Sequence, residues 1–255
     1  MKSLEIQLRA LRSAGRKALV PYFMAGVTPD WLDHVHAAIH AGADAIEIGI
    51  PFSDPLMDGA VIQQAAVTAL GAGTTLASIC RDLANNPLPI PTVAMTYYNL
   101  FHHDGEERAA GRLREAGITG AIVPDLTLEE SATWRAACSD NDVATIFLVA
   151  PSTTPDRFIS LAAATEGFCY AAARMAVTGR ASGDGDASRV VDAVRAVNDV
   201  PTYVGIGITT PEQAAQAARS SDGVIVGSAL VQRILDGATA ADVEAFVREF
   251  RQAIG

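Results

Sequence analysis

Residues 47–58 read Glu-Ile-Gly-Ile-Pro-Phe-Ser-Asp-Pro-Leu-Met-Asp, and they follow residues 43–46, Ala-Asp-Ala-Ile. The pattern predicts a short buried strand that carries a carboxylate and leads into a loop rich in proline and aspartate. Because side chains alternate along a strand, one face is bulky and the other is small except for Glu47. We expect the bulky face to meet helices and the small face to look into an enclosed interior; the two sets are Ile46, Ile48 and Ile50, and Ala45, Glu47 and Gly49.

A glutamate flanked by small residues inside a strand needs a physical explanation. An ionised carboxylate that leaves water costs several kcal/mol unless a partner compensates it. One interpretation of Glu47 is a general acid/base with a shifted pKa. The other is a structural glutamate that forms a salt bridge within a barrel or sheet. This stretch alone leaves both open.

Length and composition restrict the class of protein. The chain has 255 residues, of which 49% are hydrophobic and 19% charged, so a disordered chain is excluded and one large α/β domain or two small ones would fit. No shift in composition marks a boundary, so we expect a single domain over residues 1–255. No apolar run reaches the ~18 residues of a membrane span, and the first residues do not resemble a signal peptide. We therefore expect a cytoplasmic protein without a membrane partner.

The net charge, the cysteines and the histidines argue against a nucleic-acid-binding protein, a metalloprotein and a disulfide-rich protein. A formal net charge of -10 and a pI near 4.9 argue against nucleic acid as a partner, so an anionic ligand would have to be held by local dipoles. Three cysteines, Cys80, Cys138 and Cys169, are too far apart for a metal knuckle and too few for a disulfide framework, and we expect buried thiols. His36 and His40 lie four apart without a third ligand, so we expect surface histidines and no metal site.

Eight short apolar segments recur along the chain, each followed by a helical pattern. This order predicts an α/β fold, a (β/α)₈ TIM barrel with extra short helices. A doubly wound open sheet is the alternative, but it would more often need fewer strands at this length. The predicted strands are 18–24, 46–50, 91–96, 118–123, 144–149, 167–172, 201–205 and 222–226. The predicted helices are 3–15, 31–42, 60–71, 75–85, 105–116, 128–141, 155–164, 187–198, 211–219, 228–236 and 240–253.

Polar residues collect at the ends of the predicted strands. In a barrel, functional residues lie at the carboxyl ends of the strands, so these side chains are expected to form one constellation. Their position on one side of the fold favours an enzyme over an inert scaffold. They are Glu47, Asp54, Asp58, Tyr97, Asn99, Asp125, Tyr170 and Thr178.

Three glycine-containing segments follow the last three strands: 177–179, 205–207 and 227–228. Glycines let a backbone approach a ligand, and Ser228 can begin a short helix whose free N–H groups attract an anion. This predicts the usual phosphate site of a barrel, although glycines that serve only tight turns are the alternative. The glycine-rich segment 174–188 predicts either a lid that orders over substrate or a merely flexible loop.

Several motifs together resemble the tryptophan synthase alpha subunit family. The likeness runs in order from about residue 18 to residue 235, and the first motif is highly specific. The motifs are Glu47-Ile-Gly-Ile-Pro-Phe-Ser-Asp-Pro-Leu-Met-Asp-Gly, Met95-Thr-Tyr-Tyr-Asn, Val123-Pro-Asp-Leu, Phe147-Leu-Val-Ala-Pro-Ser-Thr-Thr-Pro, Val177-Thr-Gly and Gly223-Val-Ile-Val-Gly-Ser-Ala.

The resemblance implies a TIM barrel that cleaves indole-3-glycerol phosphate to indole and glyceraldehyde 3-phosphate without a metal or organic cofactor. It also implies a tryptophan synthase beta subunit as partner in an α2β2 heterotetramer. Glu47 matches the general acid/base, Asp58 the acid that pairs with the indole N–H, and Tyr170 a tyrosine of the same pocket. Thr178 matches a lid threonine that closes against Asp58. The phosphate-binding positions match Gly179, Gly207, Gly227 and Ser228.

Two rival functions stay open beside this expectation: an independent indole-releasing lyase without a partner, and a catalytically weak barrel that serves as a regulatory or binding subunit. Several residues depart from the usual pattern of the family, and these departures put lid dynamics and communication with a partner in doubt. We expect the partner to dock on the rim 51–60 and the lid, with Phe52 pointing outward, unless Phe52 plugs the barrel mouth. The departures are Met24, Ala60, Thr127, Ala173 and Ala176.

Overall fold

The structure, a computed structural model, describes residues 1–172 and 186–255. Within these residues one all-parallel sheet has the strand order β5-β4-β3-β2-β1-β9-β8-β7-β6. Since a single residue separates β5 from β6, the sheet curves into a nearly closed barrel with eight strand positions, which confirms the predicted TIM barrel. The strands are β1 (Ala18–Met24), β2 (Ile46–Gly49), β3 (Thr92–Met95), β4 (Ile118–Ile122), β5 (Ala144–Ile146), β6 (Leu148–Val149), β7 (Cys169–Ala172), β8 (Thr202–Gly205) and β9 (Gly223–Val226).

The helices of the described residues surround the barrel, apart from the first. They are α1 (Ser3–Ser13), α2 (Trp31–His40), α3 (Ala60–Gly71), α4 (Leu76–Asn85), α5 (Tyr98–Asp104), α6 (Glu106–Glu115), α7 (Ala132–Asp140), α8 (Pro155–Ala164), α9 (Asp186–Arg195), α10 (Pro211–Ser220), α11 (Ser228–Leu235) and α12 (Ala240–Ile254). None of those in residues 1–172 and 186–255 combines the length and hydropathy that a membrane crossing requires.

Two helices differ between the prediction and the structure. The sequence prediction missed helix α5, which is separated from α6 by Gly105 at a φ of 87°. Only glycine adopts this left-handed conformation at little cost, so the chain turns there and starts a second helix. The predicted helix 128–141 begins only at Ala132, because the Ser131 hydroxyl donates to the Leu128 carbonyl at 2.7 Å and closes a turn first.

The predicted strand 144–149 is interrupted at Phe147. Its backbone N–H donates to the Thr165 hydroxyl at 3.0 Å and therefore does not join the ladder with β4. Its carbonyl accepts from the Tyr170 N–H at 3.1 Å, which starts the pairing with β7. The chain thus changes neighbours at Phe147, and the barrel closes there.

Apolar side chains form two cores, one between strands and helices and one inside the barrel. Ile46, Ile48 and Ile50 lie in the outer core, whereas Ala45 lies in the inner core, which confirms the predicted alternation of β2. Leu4 of α1 closes the barrel at the amino ends of the strands, where an added Cβ at Gly120 would lie 2.7 Å from it. Because that end is plugged, the carboxyl ends of the strands form the open mouth.

Candidate active site

A cavity of about 520 Å³ opens at the carboxyl ends of the strands. It brings together most of the predicted site residues, namely Glu47, Asp58, Tyr170, Gly207, Gly227 and Ser228. Thr178, Gly179 and the lid prediction up to residue 185 lie outside the described residues. The cavity also includes residues that the sequence did not single out for the site, among them Tyr22, Met95, Leu148 and Ile225.

Glu47 lies on β2, in register with Tyr22 of β1 and Val93 of β3. It is 1% exposed, and its Oε2 has no hydrogen-bond partner among the described residues. Within residues 1–172 and 186–255 no cation pairs with this carboxyl group, so the salt-bridge interpretation finds no support there. Burial, and then the negative charge of Asp58, raise the Glu47 pKa to about 8. The group therefore holds a proton at neutral pH.

Asp58 ends the loop that follows β2, and its backbone N–H donates to the Pro55 carbonyl at 3.1 Å. Burial raises the pKa of Asp58 to about 6, although a hydrogen bond with the Tyr97 hydroxyl lowers it in part. At pH 7, Asp58 is therefore mostly ionised while Glu47 is protonated. Two carboxyl groups with separated pKa values in one cavity are suited to different roles, one as an acid and one as a fixed negative charge.

Tyr97 holds the loop that carries Asp58. Its hydroxyl accepts a hydrogen bond from the Met57 backbone N–H at 2.8 Å, and its ring stacks on Phe52 with the centroids 5.2 Å apart. Phe52 is thus half-buried, and the expectation that it points outward was wrong. The exposed apolar side chains of this loop are Leu56 and Met57, at 86% and 57% exposure.

The opposite side of the cavity is built from backbone. After β8 the chain passes through Ile206 and Gly207 with φ values of 61° and 98°. A β-branched residue at positive φ is strained, and such strain is found preferentially at functional sites. Gly227 precedes the first residue of α11, Ser228, as predicted. A helix start beside a glycine turn offers unpaired N–H groups and a positive dipole end, which attract an anion.

Other polar residues of the predicted constellation take different positions. Asp54 is exposed and accepts from the Ser53 hydroxyl at 2.7 Å, Asn99 is exposed on α5, and Asp125 accepts from the Tyr98 backbone N–H at 2.9 Å. None of these three lines the cavity. Position at a strand end was therefore not sufficient to place a residue in the site.

The departures noted in the sequence also lie outside the cavity lining. Met24 is buried at the end of β1, Ala60 is the first residue of α3, and the Thr127 hydroxyl donates to Glu130 at 2.8 Å. Ala173 and Ala176 fall outside the described residues. The described substitutions thus leave the two carboxyl groups in place.

A nearly closed parallel barrel with one buried and one half-buried carboxyl group at its mouth defines a TIM-barrel enzyme with an acid–base site. A family model described as tryptophan synthase alpha chain matches residues 8–254. The chain belongs to the tryptophan synthase alpha chain family, which confirms the resemblance seen in the sequence.

Relatives of this family agree over nearly the whole chain. The tryptophan synthase alpha chain of Streptomyces coelicolor is 44% identical over 90% of this chain and 86% of its own length. That of Synechocystis is 38% identical over 100% of both chains. The structure of Mycobacterium tuberculosis tryptophan synthase matches with a TM-score of 0.92 at 37% identity, covering 99% of this chain and 98% of that one. Tryptophan synthase subunit alpha from Legionella pneumophila matches with a TM-score of 0.90 at 30% identity, covering 100% and 98%.

Proposed function

We propose that this chain acts in tryptophan biosynthesis as a lyase that cleaves indole-3-glycerol phosphate to indole and glyceraldehyde 3-phosphate. Family membership supports the reaction. The observation that carries the mechanism is the pair of carboxyl groups in one cavity, with Glu47 at a pKa of about 8 and Asp58 at about 6. At neutral pH this pair supplies one proton and one negative charge.

The cleavage needs a proton at indole C3 and the loss of a proton from the side-chain hydroxyl. In our proposal protonated Glu47 gives its proton to C3, which leaves positive charge on the ring nitrogen. The electron pair of the carbon–carbon bond then returns to the ring as the bond breaks. The hydroxyl oxygen of the adjacent carbon becomes the aldehyde carbonyl, and the Glu47 carboxylate takes its proton. Atoms and charge balance, and Glu47 ends protonated as it began.

Asp58 stabilises the charge that develops between these two proton transfers. A carboxylate beside the indole N–H lowers the barrier electrostatically, because its position is fixed before the charge forms. Tyr170, which is buried on β7 and lines the cavity, would form part of the wall around the ring. By resemblance to the family, Thr178 is assigned the role of the lid threonine that closes against Asp58.

The test of this function is the release of indole from indole-3-glycerol phosphate by the purified chain, alone and with a tryptophan synthase beta subunit. We expect indole and glyceraldehyde 3-phosphate in equal amounts. If neither preparation releases indole, the chain is the catalytically weak binding barrel and the proposed reaction is wrong.

The substrate phosphate would bind at Gly207, Gly227 and Ser228, with Gly179 added by resemblance. Ser228→Asp should raise KM about 100-fold or more, since a carboxylate beside a phosphate dianion costs several kcal/mol and each 1.4 kcal/mol is a factor of about ten. Steady-state kinetics of indole release measure this change.

Ser228→Ala is the matched control for the phosphate site. It keeps the backbone N–H groups and adds no charge, so KM should change much less than in Ser228→Asp. Circular dichroism should be the same for both variants. If the two raise KM equally, or if inorganic phosphate and glycerol phosphate do not inhibit the wild-type chain, the phosphate site has been misplaced.

The same proposal includes a beta subunit as partner, in an α2β2 tetramer. The supporting surface is the exposed apolar pair Leu56 and Met57, on the rim of the cavity from which indole would leave. A cluster of exposed large apolar side chains at a functional edge is typical of a docking site. An independent lyase would have no use for such a surface.

Mixing with the beta subunit of the same organism should raise kcat more than it changes KM, because docking favours closure over the site. Leu56→Ser should weaken co-elution with that subunit. Ile159→Ser is the matched control, since Ile159 is 53% exposed on α8, outside the rim. A stand-alone rate near a typical ~10 s⁻¹ without co-elution or stimulation would favour the independent lyase.

We also propose that the protein is cytoplasmic. Cys80, Cys138 and Cys169 are buried free thiols, as predicted, and reduced cysteines fit a reducing compartment.

A further inference from the structure

Tyr22 lies beside Glu47 and Asp58 but has no role in the proposed mechanism. It lies on β1 in register with Glu47 of β2. Residues in register on neighbouring parallel strands point to the same face of the sheet, so both side chains enter the barrel. Tyr22 is only 7% exposed, and it lines the same cavity as Glu47 and Asp58.

The Tyr22 ring is fixed between two glycines. An added Cβ at Gly227 would lie 3.6 Å from the Tyr22 Cβ, so the base of the side chain packs against the start of α11. An added Cβ at Gly49 would collide with the Tyr22 hydroxyl and the adjoining ring atoms. The hydroxyl therefore reaches the end of β2, two residues beyond Glu47 on the same face.

The Tyr22 hydroxyl has no hydrogen-bond partner within residues 1–172 and 186–255. A buried tyrosine hydroxyl usually finds a partner, and a phenylalanine would fill the same space without one. The hydroxyl thus lies at the cavity beside the group that is proposed to exchange protons with the substrate.

Four titratable groups act electrostatically on the hydroxyl: Asp58, Glu47, Tyr97 and Tyr170. Burial, followed by the charges of Asp58, Glu47 and these tyrosines, holds the Tyr22 pKa well above its usual range. The side chain is therefore a neutral hydrogen-bond donor throughout the working pH range.

We propose that Tyr22 is a catalytic residue whose hydroxyl donates a hydrogen bond to the substrate oxygen that becomes the aldehyde carbonyl. This inference rests on the proposed function. Glu47 must lie within hydrogen-bond reach of that oxygen to take its proton, and Tyr22 is its neighbour in register. As the proton leaves, negative charge develops on the oxygen and a fixed donor stabilises it. Tyr22 transfers no proton, so the balance of the reaction is unchanged.

Tyr22→Phe should lower kcat at least about tenfold with KM within about twofold, because the hydrogen bond strengthens as the bond breaks. Both limbs of the pH–rate profile should stay in place. Tyr98→Phe is the matched control: its hydroxyl donates to Glu106 at 2.7 Å, outside the cavity lining, and kcat should not change.

A second measurement does not depend on turnover. A substrate analogue without the hydroxyl next to the ring should bind equally to the wild-type chain and to Tyr22→Phe, because the partner oxygen is absent. An unchanged kcat, or a loss confined to KM, would overturn the proposal. A shift of the acidic limb would overturn it as well, since the hydroxyl would then act on Asp58. If wild-type protein releases no indole, the proposed function fails together with this inference, whereas normal Tyr22→Phe kinetics remove only the inference.

Discussion

Glu47→Gln should abolish indole release, with a loss of at least ~10²-fold in kcat, because an amide keeps the volume of the side chain but can neither give nor take the proton. The loss should persist at every pH and at saturating substrate. Glu107→Gln, an exposed change on α6, is the matched control and should leave kcat unchanged. Activity of Glu47→Gln within threefold of wild type would rule out Glu47 as the acid/base.

The same variant should also change the pH dependence of stability. The Glu47 pKa rises from 4.5 to about 8 on folding, so the folded state holds a proton that the unfolded state has lost in this range. The free energy of unfolding of the wild-type chain therefore falls between these pH values, by a few kcal/mol. Glu47→Gln lacks this decrease, and its Tm relative to wild type should be higher at pH 9 than at pH 5. An identical pH dependence in both proteins would contradict the buried, protonated state of Glu47.

Asp58→Asn should lower kcat/KM at pH 7 by about 10²-fold or more, since it removes the negative charge beside the developing positive charge of the ring. A trace of activity should remain through a neutral hydrogen bond. Asp54→Asn is the matched control, because this exposed aspartate lies in the same loop but outside the cavity lining. Equal losses of kcat/KM in the two variants would mean that a disturbed loop, and not the missing Asp58 carboxyl group, causes the effect.

The pH–rate profile separates the roles of the two acids. In the wild-type chain, kcat/KM should rise as Asp58 ionises near its pKa of about 6 and fall as Glu47 loses its proton near about 8. Asp58→Asn should lack the acidic limb. Its alkaline limb should move to lower pH, because the Asp58 charge that helps to raise the Glu47 pKa is gone. An unchanged acidic limb would exclude Asp58 as its source.

The barrel was predictable because its elements follow from local patterns. Alternation in residues 45–50 placed the isoleucines outside and Glu47 inside, and the structure has this arrangement. The site was partly predictable, because the carboxyl ends of parallel strands meet at one mouth whatever the sequence between them. Two errors in the predicted elements arose where one residue changes the path of the chain, at Gly105 between two helices and at Phe147 within a strand.

Several site features depend on contacts between residues far apart in the chain. From the sequence alone, Tyr22 would be interpreted as a core residue of an apolar strand. Only the pairing of β1 with β2, which brings Gly49 and Glu47 close, places its hydroxyl in the cavity. Tyr97 fixes the loop of Asp58 across 40 positions of sequence, through its bond with Met57. Local sequence patterns do not show that Tyr22 approaches Gly49 or that Tyr97 bonds Met57.

The sequence by itself determined the family, the barrel and the inward face of β2, and it predicted the two acids of the site, because motif and periodicity are properties of neighbouring residues. Only the tertiary structure decided which acid keeps its proton. Burial inside the barrel and the charge of Asp58 raise the Glu47 pKa, whereas partial burial and the Tyr97 hydroxyl leave Asp58 the stronger acid. Burial and proximity arise only when distant strands and loops meet, since the electric field at a side chain depends on distance in space and not along the chain.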